Sequence, residues 1–211
     1  MCPELIRRLS VAEYVSVRLC GWGLVQSAIG TTRLLMEIRP RRVWLVGIAG
    51  ALHSENSVEQ RATLPAGRAY EFSHVAVHGI GVGQGTNHLS FDQLGWAKSF
   101  GGPDCPGSVL AVNPHSPEAR TLLSVTSASS NFAEAAQKLI ACPQAMAEDM
   151  ESYSVAAACK LLEVPLRVIR GISNRAGDRD FSGWLAPQAM RSAVQLTMEL
   201  LSRELGTKLE V

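Results

Sequence analysis

Two polar pairs bracket an otherwise apolar unit. In DMESYSVAAACKLLEVPLRVIRGISN, which runs from Asp149 to Asn174, Met150-Glu151 stands at the entrance of an alanine-rich helix and Ser173-Asn174 at the exit of a branched apolar strand. A carboxylate in the first turn of a helix is favoured by the dipole and can accept hydrogen bonds from paired hydroxyls such as a ribose diol. An amide at a strand's end can meet a ligand, because small molecules bind beyond the carboxyl ends of strands in open α/β sheets. Arg170, within the same strand, is a guanidinium in a buried setting and must be paired. It is expected to form an internal ion pair that organises the site, while Arg175, Asp178 and Arg179 fall on the next loop.

The elements that must carry these groups are legible on both sides. YVSVRL, from Tyr14 to Leu19, alternates like a strand and passes through Cys20-Gly21-Trp22-Gly23 into LVQSAIGTTRLLMEI, whose apolar residues have helical spacing. Pro40 closes that helix, and RRVWLVGIAGAL supplies a second strand whose Gly47 and Gly50 mark a tight turn, so a right-handed βαβ crossover is expected. Residues 53 to 107 mix short strand-like pieces, RAYEFSHVAV, with the glycine-laden HGIGVGQG and turns around GGPDCPG, and read as sheet extension plus a mobile loop. SVLAVN and LLSVTSAS read as strands, FAEAAQKLIA as a helix, and Pro187 to Leu205 as a long amphipathic closing helix. Alternating β and α, with strands too apolar for a wet face, predicts an α/β protein, a three-layer α/β/α sandwich around a central mixed sheet.

Bulk properties narrow the partners. A chain of 211 residues, 46% hydrophobic, suits one domain over 1–211. Twenty basic against nineteen acidic side chains, with no Lys/Arg cluster, argue against nucleic acid. No signal-like h-region and no apolar run of ~18 residues occurs, so neither export nor membrane spanning is expected and the cytoplasm is the predicted location. Five scattered cysteines without CxxC and five histidines without HExxH predict no disulfide framework, no metal and no cofactor. The glycines of HGIGVGQG, at 79, 81, 83 and 85, lack the third glycine of a dinucleotide loop.

Wording and spacing together resemble one superfamily. AEDMES followed by VPLRVIRGISN, CGWGLVQSAIGTTRLLMEIRP followed by VWLVGIAGAL, and PQAMAEDME are similar to the motifs of the purine nucleoside phosphorylases and nucleosidases. SNRAGDRDFSGWLAPQAM most resembles the futalosine hydrolases, nucleosidases of the futalosine route to menaquinone. The resemblance spans most of residues 20 to 200 and is thinnest between His53 and Ser124. It implies a nucleoside phosphorylase/hydrolase-like fold, a nucleoside substrate, no metal or organic cofactor, and a homodimer or higher homo-oligomer.

By the same resemblance, Glu151 grips the 2′ and 3′ hydroxyls, Met150 packs beneath the sugar, and Ser173-Asn174 meets the purine. Backbone N–H groups near Gly47 and Gly50 would lie by the sugar, and Arg179 would suit a carboxylate-bearing 5′ group. Phe132, next to Asn131, either covers the base or buries itself in the core; Ser127 and Ser129 are weaker candidates, and Ser173 is a helper or a cap. Glu4, in MCPELIRRL, corresponds to the glutamate that activates water. The strand that should precede it is missing before Met1, so either the start is truncated or the chain is a reduced variant. Trp22 and Trp44 are expected in the core or at a subunit interface, and Trp184 near the loop beyond the site.

The residues add an argument of their own about the base. Hypoxanthine presents two adjacent acceptors, N7 and O6, whereas adenine sets a donor beside its N7 acceptor. An amide NH2 matches the first pattern, and an unpaired buried polar group costs about 1–3 kcal/mol. Asn174 therefore predicts a 6-oxopurine, stabilised as it departs by hydrogen bonding and not by acid catalysis. The absence of a phosphorylase arginine pattern favours water as nucleophile. A phosphorylase, a methylthioadenosine/S-adenosylhomocysteine nucleosidase and a non-catalytic nucleoside-binding relative stay open as alternatives.

Overall fold

The computed structural model describes residues 15–53, 64–100, 105–113, 116 and 118–206. In chain order they form α1 (Gly23–Ile38), β1 (Val43–Ala51), β2 (Ala69–Phe72), β3 (His74–His78), β4 (Gly81–Val82), β5 (Leu89–Ser90), α2 (Trp96–Phe100), β6 (Val109–Ala111) and β7 (Thr121–Val125). The second half adds α3 (Phe132–Ala141), β8 (Ala145–Asp149), α4 (Ser152–Leu161), β9 (Leu166–Arg175) and α5 (Ala186–Leu205). One seven-stranded sheet runs β2-β9-β1-β8-β7-β3-β6. It is mixed: β1 is parallel to β9, and β3, β7 and β8 are parallel to one another, while the pairs β1–β8, β2–β9 and β3–β6 are antiparallel.

Strand alternation sorts the helices into two layers, giving the three-layer α/β/α sandwich expected. Leu122, Val168 and Ile172 pack with Val155 and Ala156 of α4. Leu123 and Val125, on the other face of β7, pack with Ala135 of α3. α1 lies along α4 and buries Gly23, Ser27, Thr31 and Leu35, a four-residue repeat of mostly small side chains that permits close approach. No helix among the described residues is long and apolar enough to cross a membrane.

α5 crosses β9 and β1 on the opposite face. It sits directly on Gly171, where an added Cβ would lie 1.9 Å from the Ala189 carbonyl oxygen. Gly171→Ala is therefore expected to cost about 1–3 kcal/mol through forced separation of helix and strand. Urea unfolding measures it, and a loss below a few tenths of a kcal/mol would mean the helix yields freely.

Four sequence expectations change. Residues 15–20 pair with no strand among the described residues, because Val15 and Val17 pack on Val46, Val194 and Met198 instead. Tyr14 lies outside the described residues, and among those described the first βαβ crossover is not formed. Gly47 and Gly50 make no tight turn, since both stand inside β1. The sheet extension expected in the middle region is carried by RAYEFSHVAV as β2 and β3, while Gly81–Val82 of HGIGVGQG pairs with β5 as a separate ribbon. AMAED, unassigned in the sequence, is β8, between β1 and β7.

Candidate functional site

β8 ends in two carboxylates that face opposite layers, followed at once by Met150 and Glu151. Asp149 is fully enclosed. Its Oδ2 accepts from Arg170 Nε at 3.0 Å and Nη2 at 2.7 Å and from the Ser152 N–H at 3.2 Å, and the Ser152 hydroxyl also donates to it. Its Oδ1 takes the Ser124 hydroxyl at 2.6 Å, and Ser124 Oγ in turn accepts the Tyr153 N–H at 2.8 Å. One buried carboxylate thus binds β9, β7 and the first turn of α4 together. The internal ion pair expected of Arg170 is present, with side chains 4% and 1% exposed for Arg170 and Asp149.

The guanidinium reaches Asp149 by lying across Gly47, its register partner on β1. A Cβ on Gly47 would stand 2.1 Å from Arg170 Nη1, so glycine is required here by the crossing arginine. That is a different service from the sugar-side N–H expected of it. At Gly50 a Cβ would meet Ala176 in ordinary contact, at 3.4–3.5 Å.

Glu151 precedes the first residue of α4 as its N-cap but makes no capping bond with its side chain. Its Oε1 instead accepts the backbone N–H of Gly23, at 3.0 Å, the first residue of α1, where the helix dipole favours a carboxylate. Its Oε2 lies 3.8 Å from Arg170 Nη2, and the side chain remains 19% exposed, the most accessible member of the cluster. Cys20 lies at the same cluster: burial pushes its thiol up, with Arg170 pulling down and Glu151 pushing up more weakly. It is therefore a neutral thiol at pH 7 and not a nucleophile.

β8, which leads into Glu151, runs antiparallel to β1. Glu151 meets Arg170, the register partner of Gly47, at 3.8 Å, while Asn174 pairs with Gly50 beyond a register shift at Ser173. Asn174 Oδ1 accepts the Ser173 hydroxyl at 2.7 Å, and Ser173 also contacts the Ala49 carbonyl at 3.2 Å. The Asn174 amide nitrogen donates to the Arg175 carbonyl at 2.8 Å and the Asp178 carbonyl at 3.5 Å, closing its own turn.

The remaining candidates divide. Phe132 is not in the core: it begins α3 half-exposed, with the Arg175 guanidinium 4.2 Å above its ring. Gly177, at φ +90°, brings the β9 loop against the start of α3, its absent Cβ 2.4 Å from the Asn131 carbonyl carbon. Met150 packs beside Ala176 in the cluster under that loop. Arg179 stands farther out, 5.8 Å from the Trp184 ring, which touches Phe181. Trp22 is not a core residue, being 70% exposed, and Trp44 lies under the Arg167 guanidinium. Glu4 lies outside the described residues. Asp149, Ser124, Ser152 and Gly23 were missed; Glu-Asp directly before Met-Glu was the available signal.

The end of β3 carries a histidine in ring contact with another. His78, at the end of β3, meets His88 edge-on with ring centroids 4.4 Å apart. Burial lowers His78 to about 4, helped by His88 and Lys138 and opposed by Glu148. An unfolded histidine takes its proton near 6.5, so between those values the unfolded chain holds more protons. Stability is therefore expected to fall as pH drops from about 6.5 toward 4, and His78→Phe to flatten that limb of the urea midpoint. An identical limb in the variant would remove His78 from the account.

No family model matches the sequence, and no curated protein matches it. Solved structures do. The chain is similar to the 5′-methylthioadenosine/S-adenosylhomocysteine nucleosidase of Neisseria meningitidis in complex with methylthio-immucillin-A, with TM-score 0.60 and 21% identity over 84% of this chain and 77% of that one. It is similar to the Helicobacter pylori nucleosidase of the same name, with TM-score 0.65 and 15% identity over 96% and 95% of the two chains. It is also similar to the futalosine hydrolase of Helicobacter pylori, with TM-score 0.60 and 18% identity over 93% and 92%. At 15–21% identity these likenesses establish a shared fold.

Proposed function

We propose that the chain is a nucleosidase that hydrolyses the N-glycosidic bond of a 6-oxopurine nucleoside, with futalosine as the favoured substrate and hypoxanthine as the released base. The observation that carries this reading is the setting of Glu151: a partly exposed carboxylate held by the Gly23 N–H, with the Arg170 guanidinium beside it. The solved structures of similar fold include nucleosidases and a futalosine hydrolase.

In this reading Glu151 accepts from the 2′ and 3′ hydroxyls and Met150 supports the sugar face. Asn174 exchanges its contacts with the Arg175 and Asp178 carbonyls for N7 and O6 of the base, and Phe132 covers the ring. Water adds to the anomeric carbon as the C–N bond breaks; Glu4 takes the water's proton, the electron pair leaves with the base as an anion hydrogen-bonded to Asn174, and that anion takes a proton from solvent while Glu4 returns its own. Backbone near Gly47 and Gly50 borders the sugar, Ser173 steadies Asn174, and Arg179 meets an anionic 5′ group. The reaction uses no metal or cofactor.

The protein acts in the cytoplasm as a homodimer or higher homo-oligomer. Trp22, Val25, Ile29 and Met36 form one strongly exposed apolar stripe on α1, which supports self-association through that helix.

Chromatographic assay of futalosine, inosine and methylthioadenosine, each with and without phosphate, tests the function. Phosphate-independent release of hypoxanthine from futalosine is the expected result. Cleavage that demands phosphate would make the protein a phosphorylase, adenine release alone would overturn the base assignment, and binding without turnover would make it a nucleoside-binding relative.

A further inference from the structure

The two acidic residues that end β8 serve different halves of the molecule. Asp149 holds the α4 side, as described. Glu148 faces the α3 side, where Oε1 accepts the Ser129 N–H at 2.9 Å and Oε2 the Ser129 hydroxyl at 2.7 Å. Lys138 Nζ, from α3, lies 3.1 Å from Glu148 Oε2 and donates to the Ser127 carbonyl at 2.7 Å and Ser129 Oγ at 2.9 Å. Both charged groups are buried. A buried ion pair is a weak source of stability, since apolar residues of similar volume often do as well. What this one does that an apolar pair cannot is take up the polar groups of residues 127–129 from below.

That segment leads straight to the base end. Asn131 caps α3 through the Glu134 N–H, Phe132 follows it, and Gly177 of the β9 loop abuts both. Glu148 pairs with Gly50 on β1, whose other neighbour is Asn174. The geometry points to Glu148 and Lys138 as positioning residues that fix the wall formed by residues 127–132 opposite Asn174, separately from the Asp149–Arg170 pair that fixes Glu151. As a statement about purine binding, this rests on the nucleosidase reading.

Three variants of the full chain test it: Glu148→Gln, Lys138→Met, and the double Glu148→Leu/Lys138→Met, which removes both charges and keeps the volume filled. The readouts are amide hydrogen exchange, calorimetric binding of free hypoxanthine and the thermal midpoint. Each variant is expected to exchange about tenfold faster at 127–131 and to bind hypoxanthine about tenfold more weakly, the effect of losing the bonds to Ser129. The double variant is expected to do so with an unchanged or higher thermal midpoint, which a purely structural role would not produce. Parental exchange at 127–131, acceleration spread evenly over the chain, or a double variant with parental hypoxanthine affinity would each overturn the assignment. If the parent itself binds no hypoxanthine, the nucleosidase reading fails, and the exchange pattern alone still decides whether Glu148 and Lys138 hold the wall.

Discussion

Arg170→Met is expected to lower the unfolding free energy by about 3–5 kcal/mol, because it leaves the enclosed Asp149 carboxylate without its cation. Methionine fills much the same volume, so the loss measures the unpaired charge more than a cavity. Asp149 keeps the Ser124 and Ser152 donors, but hydroxyls and a backbone N–H do not neutralise a carboxylate at 1% side-chain exposure. The measurement is urea unfolding at pH 7. Asp149→Asn combined with Arg170→Met should recover part of the loss, because the stranded charge is then gone. A single-variant loss below about 1 kcal/mol would show that water reaches the pair and that it does not hold the strands together.

On the proposed nucleosidase reading, Glu151→Gln is expected to reduce kcat/KM for nucleoside cleavage by about 30–150-fold, with the fold intact. The carboxylate can offer two charge-assisted bonds to a diol, at about 1–1.5 kcal/mol each beyond their neutral counterparts, and the amide preserves shape while losing the charge. Its partial exposure and lack of a capping bond predict a change in thermal midpoint of only a few degrees. Steady-state kinetics on the parent's best substrate, beside the melting curve, separate the two effects. Parental kcat/KM in the variant would remove the sugar-binding role from this residue.

Where a segment's local pattern and its tertiary role agreed, the sequence was readable. α3 occupies the expected FAEAAQKLIA, α5 begins one residue before the expected Pro187, and Arg170 found its counter-ion within one ion-pair distance. The failures have physical causes. Val15 and Val17 alternate as strand residues do, yet the same spacing lets an extended segment dock on a helix without pairing. AMAED has two carboxylates in five residues and modest β-propensity, so nothing local announces a central strand; its acids are tolerated because each finds a cation, Arg170 or Lys138, on its own face. Gly47 read as a turn because glycine usually marks one, whereas here it clears the path of a side chain from the next strand. The Asp149 and Glu148 networks join residues far apart along the chain, which periodicity within a window cannot reveal.

The strand order also dictates when the molecule can become whole. Among the described residues β9 is the last strand made, yet it lies between β2 and β1, the first two. A nascent chain can pair β3, β6, β7 and β8 among themselves, but β2 has no neighbour in the main sheet until residue 166 onward emerges. Closure over so long a loop is slow, and the early edges stay open to wrong partners meanwhile. Synthesis halted before β9 should leave a species prone to aggregate, with the Asp149 carboxylate waiting for an arginine not yet translated.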